Sequence, residues 1–245
     1  MEYNRGHQRF SRERTVRLYS NINEPTALVV LVSLKLENRL FEEYRCDRTL
    51  NIGLNVNELY KVMKWAKKQD SCLIQYDEYD RDKVMITFVD PCERKQETKM
   101  RQMEIQHDRI EVPDGGYSCV IDMPSTEFHR TCKDIATFSE TLVITASLSG
   151  GVEFSGCGDS VETTVSYPVN QPNDIHKKDG VQIVVKEDVK AMFTMKYMNH
   201  FANAHNLSER VKISLSNNEA IRIEYDLDYG YLRFYLGSKI EGDIY

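Results

Sequence analysis

From Ala27 the chain alternates, with Val30, Val32, Leu34 and Leu36 set against Leu31, Ser33 and Lys35, a period of two that predicts a strand. After Tyr44-Arg45-Cys46-Asp47-Arg48 the period changes. Val56, Leu59, Val62, Met63 and Ala66 recur at helical spacing, and Asn55 with Glu58 three residues on forms a capping-box variant, so a helix is predicted over 55–68. One face of it is expected to pack, while Lys61, Lys64 and Lys68 share the opposite face. Cys72–Tyr76 and Val84–Val89 read as strands joined by the charged stretch Asp77–Lys83, with Val84, Ile86 and Phe88 on one face. Met100–Ile105 reads as a further strand. Residues 106–116 are charged, contain Pro113 and end in Asp114-Gly115-Gly116, the composition of a connector between domains. Ile110 and Val112 are apolar within it, as a lip of a binding groove or as anchors of the linker.

Beyond the connector, Tyr117–Met123 predicts a strand and Pro124-Ser125 opens a helix from Thr126 to about Phe138. Phe128, Cys132 and Ile135 point inward there, and Arg130, Lys133 and Thr137 outward. Thr141–Ser147 and Val152–Ser155 form a hairpin over Gly150-Gly151, followed by the alternating strand Val161–Tyr167. Pro168–Gly180 is a polar loop in which His176-Lys177-Lys178 is a solvated turn. Val181–Val185 and Ala191–Thr194 are extended. The next helix buries Met195, Tyr197, Met198, Phe201 and Ala202 and exposes Lys196, Asn199, His200 and Asn203. Three alternating strands around Ile213, Ile223 and Phe234 follow. Strand, helix, strand, strand thus occurs around residues 50–90 and again around 181–236, an internal repeat in an α+β chain dominated by antiparallel strands. The first 26 residues carry five arginines without clean periodicity, and a poorly ordered terminus is expected.

Charge sharpens one point. The 245 residues carry 32 Lys and Arg against 38 Asp and Glu, a net charge of −6, so any contact with nucleic acid must run through a local basic surface. A lysine-bearing helix face is the candidate. No apolar run approaches the length of a membrane span, and no signal-peptide pattern opens the chain. The six cysteines form no C-x-x-C pair, so they are expected to be reduced core thiols rather than zinc ligands or disulfides. Phosphate-loop and H-E-x-x-H motifs are absent, Gly156-Cys157-Gly158-Asp159 does not lead from strand to helix, and the histidines lack a nucleophile at useful spacing. No catalytic residue, metal or cofactor is expected.

Several collinear motifs resemble one family. Tyr44-Arg45-Cys46-Asp47-Arg48, Tyr117-Ser118-Cys119-Val120 with Met123-Pro124-Ser125 and Glu127-Phe128, Lys196-Tyr197-Met198-Asn199 with Phe201, and Gly230–Leu236 with Lys239-Ile240-Glu241 are similar to the proliferating cell nuclear antigen family, the eukaryotic sliding DNA clamps. The likeness covers roughly residues 27–245 and implies the DNA-clamp fold, two similar domains of antiparallel sheet with helices lining a channel. It divides the chain into a divergent terminus (1–26), a partial N-terminal domain (27–105), the connector (106–116) and a C-terminal domain (117–245).

The resemblance also implies roles. Three subunits would close into a homotrimeric ring around duplex DNA, in the nucleus, serving as a processivity factor for DNA polymerase and a docking platform for repair proteins. Lys61, Lys64, Arg130, Lys133 and Lys196 would face DNA without reading sequence. Val29, Leu31, Ile110, Val112, Ala220, Tyr235 and Ile240 would form the groove for the family's interacting peptides, which carry a glutamine, an aliphatic residue and a pair of aromatics. A clamp loader and polymerase are the implied partners, and a membrane is not. Lys95–Met103 and Val161–Tyr167 would be the edge strands that join subunits. The family's first strand, first channel helix and following strand have no counterpart in Met1–Thr26. Gly237-Ser238 stands for Ala-Pro beside the groove, Asn203 for a channel lysine, and Ser147–Gly150 for the turn bearing the ubiquitin-acceptor lysine. The alternative reading is a truncated or divergent clamp paralogue that binds peptides or joins other subunits without encircling DNA itself.

Overall fold

In the computed structural model, which describes residues 15–23, 29–77, 79–104, 116–168, 180–217 and 219–239, the chain divides into two compact units. Residues 1–44 and 114–245 form one, and residues 45–113 the other.

The larger unit holds strands β1 (Thr15–Asn23), β2 (Val29–Glu37), β6 (Cys119–Pro124), β7 (Thr141–Ser147), β8 (Gly151–Cys157), β9 (Glu162–Tyr167), β10 (Gln182–Val185), β11 (Val189–Thr194), β12 (Arg210–Leu215), β13 (Ile221–Leu227) and β14 (Gly230–Leu236). Its helices are α2 (Ser125–Ala136) and α3 (Met195–Ala202). Seven of the strands make one antiparallel sheet in the order β1-β2-β14-β13-β12-β6-β10, and four make a second, β11-β7-β8-β9. Ile121, Met123 and Ile213 of the first sheet and Leu142, Ile144, Phe154 and Phe193 of the second enter one core with Phe128, Ile135 and Met198 of the helices. These ten side chains are fully buried. Burying side chains of that size stabilises by ~1.5–3 kcal/mol each before conformational entropy is subtracted.

Local chemistry fixes the helices against the sheets. The Ser125 hydroxyl, at the first position of α2, donates to the carbonyl of His205 at 3.0 Å. The Tyr225 phenol donates to the carbonyl of Phe201 at the end of α3, at 3.0 Å. Both bonds tie side chains of neighbouring elements to backbone carbonyls at the end of α3 and in the 3-10 turn after it. Where β14 approaches β2, Gly230 adopts φ 148°, and a Cβ there would stand 1.9 Å from the Lys35 carbonyl oxygen. Only glycine fits.

The smaller unit holds α1 (Val56–Met63) and a three-stranded antiparallel sheet, β3 (Ser71–Tyr76), β4 (Lys83–Val89) and β5 (Lys95–Arg101), in the order β3-β4-β5. Its core is Val62, Val84, Ile86, Phe88 and Met100, with Ile52, Leu54, Leu59 and Tyr76 packed around them.

Several expectations change. Thr15–Asn23, expected within a poorly ordered terminus, is a strand whose whole length pairs with β2. Its own sequence alternates Val16, Leu18 and Ile22 with Arg17, Tyr19 and Asn21, a period that the surrounding arginines obscure. Because β2 pairs with β14 on its other side, residues up to 44 group with the C-terminal strands rather than with 45–105. The helix expected over 55–68 ends at Met63, so Lys68 lies outside it. Its expected packed face is mostly open: Val62 is buried, but Val56, Met63 and Ala66 are exposed. The strand expected at Met100–Ile105 is displaced to Lys95–Arg101, and Ile105 lies outside the described residues. The loop 176–178 also lies outside them. Of the cysteines, Cys119 and Cys132 are core thiols, whereas Cys72, Cys92 and Cys157 are exposed and Cys46 is half-buried. Burial pushes the Cys119 thiol up to about 11 and raises that of Cys132 further, which keeps both protonated and unreactive.

Candidate functional site

The cationic residues sit on two helix surfaces, one in each unit. On the larger unit, α2 and α3 pack against each other and bury their apolar stripes, which leaves Arg130, Lys133 and Lys196 exposed on the outer face of the pair. Arg130 has a long contact of 3.7 Å to Asp134 one turn on, between side chains 76% and 61% exposed, so its guanidinium remains available to another anion. The Lys196 ammonium lies 5.6 Å from the Tyr197 ring centroid. On the smaller unit, Asn55 caps α1 by accepting from the backbone N–H groups of Asn57 and Glu58 at 3.0 and 3.2 Å. Lys61 is exposed on the last turn, and Lys64, the residue after the helix, holds its ammonium 4.5 Å from the Tyr60 ring centroid. The Lys64 and Lys196 ammonium groups thus lie near aromatic faces, and exposed, flexible ammonium groups suit contact with phosphate irrespective of base sequence.

Sequence reasoning missed a histidine pair on this surface. His129 of α2 and His205 of the 3-10 turn Asn203–Leu207 stack with ring centroids 4.1 Å apart and planes 9° from parallel. Burial lowers the His129 pKa, and the neighbouring His205 and Lys133 lower it further. Both residues stand on segments that the alternation marks as polar, but only the packing of α2 on the turn after α3 brings them together.

The apolar candidates gather at one end of the seven-stranded sheet. Leu31 and Tyr235 are direct partners in the β2–β14 ladder, each 5% exposed, and Ala220 immediately precedes β13, half-buried. Burial raises the Tyr235 phenol above its ordinary value. Val29 begins β2, and its side chain lies outside the described set. Ile110, Val112 and Ile240 lie outside the described residues altogether. The chain after β14 folds back onto the second sheet, where the Lys239 N–H donates to the Met192 carbonyl at 2.8 Å and its ammonium to the Thr141 hydroxyl at 2.9 Å.

The two expected joining strands are both sheet edges. β5 ends the three-stranded sheet and β9 ends the four-stranded one. Each alternates more and less exposed residues along its length, and each offers a row of backbone groups for another strand.

Comparison with known proteins decides what this arrangement belongs to. The family model described as "Proliferating cell nuclear antigen, N-terminal domain" matches residues 22–109, and the one described as "Proliferating cell nuclear antigen, C-terminal domain" matches residues 111–240. The proliferating cell nuclear antigen of Caenorhabditis elegans is 42% identical over 217 residues, which cover 88% of this chain and 82% of that protein. The chain belongs to the proliferating cell nuclear antigen family.

Membership brings the α+β DNA-clamp fold and the role of a sliding clamp, a processivity factor in DNA replication and repair. As in the family generally, that role is a scaffold's: the clamp encircles DNA, trimerises and binds polymerase and other partners. Among the described residues, no group of three or more His, Cys, Asp and Glu side chains could hold a metal. No helix among them is long and apolar enough to cross a membrane.

Proposed function

We propose that three copies of this chain close into a ring around duplex DNA, with β5 of each copy added to the edge of β9 in the next. Among the described residues, β5 and β9 stand at the edges of two separate sheets, the observation that carries this reading. A heterologous contact of that kind closes into a ring when its rotation is a simple fraction of a turn. Lys61, Lys64, Arg130, Lys133 and Lys196 then face the duplex, where they neutralise phosphates without selecting bases, so the ring is held topologically and slides. Leu31, Tyr235 and Ala220, with Val29, Ile110, Val112 and Ile240, form the groove that takes short peptides from DNA polymerase, the clamp loader and repair proteins. The place of action is the nucleus.

Mass in solution tests the ring. Sedimentation equilibrium at micromolar concentration is expected to give three times the subunit mass of 28.5 kDa. A proline replacing Val165 in the edge strand β9 cannot donate a backbone hydrogen bond there and should shift the population to monomer. A stable monomer of the unaltered chain would overturn the autonomous ring and favour a peptide-binding clamp paralogue.

A further inference from the structure

The face of the seven-stranded sheet that carries Leu31 and Tyr235 is not apolar throughout. Register places Arg222 opposite Tyr235, Glu224 opposite Arg233, and Arg233 opposite Ser33, so these five stand with Leu31 on one face of β13, β14 and β2. Two guanidinium groups share a single carboxylate there. Arg233 donates its Nε–H to Glu224, which is 8% exposed, and lays its guanidinium 3.7 Å from the Tyr231 ring centroid. Arg222 reaches the same carboxylate only at 3.8 Å, beyond hydrogen-bond distance. Its terminal nitrogen donates to the Ser214 hydroxyl at 3.3 Å, its guanidinium lies 4.7 Å from the Tyr117 ring centroid, and its Nε is buried with no hydrogen-bond partner. Glu219, whose charge is felt at Tyr117 as that of Arg222 is, is exposed.

Among the described residues, Arg222, Arg233 and Glu224 together carry one net positive charge, with Arg222 only 16% exposed and two residues beyond Ala220. A guanidinium presents five donors in a planar fork suited to a carboxylate, and Arg222 uses few of them. A partly buried cation with spare donors beside a groove favours an anionic group on whatever occupies the groove. We infer that the groove takes peptides bearing an acidic side chain beside their apolar anchors, and that Arg222 is the residue that selects it. This rests on the reading of Leu31, Tyr235 and Ala220 as a peptide groove.

Fluorescence anisotropy on the full chain tests it with four labelled synthetic peptides. All contain a glutamine, an aliphatic residue and an aromatic pair; one is flanked by neutral residues, one by two lysines, and two by two glutamates on either side. One glutamate peptide is expected to bind on the order of tenfold tighter than the neutral one at low salt, with the advantage shrinking as ionic strength rises. Within Arg222→Met, that peptide and the neutral peptide are expected to bind alike. Equal binding of acidic, neutral and lysine-flanked peptides by the unaltered chain would overturn the inference and leave the groove standing. Failure of all four to bind would overturn the inference and the groove together.

Discussion

α1 and α3 are helices of equal length built from the same pattern, and they finish in opposite surroundings. Five of the eight residues of α3 are buried, because α2 lies against one side and the two sheets enclose the rest. In α1 only Val62 is buried, since a three-stranded sheet and a few flanking aliphatics are all that its unit provides. Tyr60 and Trp65 are 60% and 50% exposed. The apolar stripe is equally clear in both sequences. What differs is the area available to cover it, and short helices draw their stability from that cover rather than from propensity.

Mutations in the two apolar stripes separate the two cases. Phe201→Ala removes a ring that is 3% exposed and stacked on Phe234 at 4.6 Å, so a loss of ~3–5 kcal/mol in the urea stability of the larger unit is expected. Val56→Ala in α1 is expected to cost less than ~0.5 kcal/mol, because that side chain is 53% exposed. A loss at Val56 as large as that at Phe201 would mean that the α1 stripe is covered after all.

The two cationic surfaces, one on each unit, are expected to act alike toward DNA. Reversing Lys61 and Lys64 to Glu, or Lys133 and Lys196 to Glu, should lower affinity for duplex DNA on the order of tenfold or more and flatten its salt dependence by about one unit of slope per lost phosphate contact. Binding of groove peptides should not change. An effect confined to Lys133 and Lys196 would remove α1 from the DNA-facing set.

Capping comes next in size. Asn55→Ala deletes the acceptor for two backbone donors at the start of α1 and should cost ~1 kcal/mol, read as faster amide exchange at Asn57 and Glu58. No side chain caps α3 in that way, its preceding residue Thr194 making no such bond, so its first turn should be indifferent to Thr194→Ala.

The smallest effect is expected at the histidine pair. His129 binds a proton less readily in the folded chain than in the unfolded one, so the unfolded chain gains protons first as the pH falls. Stability is then full above the ordinary histidine value of about 6.5 and declines below it. His129→Ala should remove part of the decline between about pH 7 and 5, measured by thermal melts, and an unchanged profile would assign the decline to other groups.

The sequence made legible whatever depends on one segment alone. Phe128, Cys132 and Ile135 repeat at helical spacing and all reach the core; the Tyr117–Met123 alternation leads directly into β6. β5 was misplaced because Lys95–Arg101 is nearly all polar: as an edge strand it buries Met100 alone. β1 is weakly encoded for a related reason, since backbone pairing with β2 holds it and its alternation is short. The lysine and arginine positions were readable from helix faces. The Arg222, Glu224 and Arg233 cluster was not, because it comes from lateral register between strands, which no spacing within one strand encodes.

Retention on circular DNA tests the central claim most directly. After loading onto nicked circular duplex at low salt and a wash at high salt, the chain is expected to stay bound until a single restriction cut opens the circle, and then to slide off the ends. Loss in the high-salt wash while the circle is intact, or retention after the cut, would contradict a ring that holds DNA by topology.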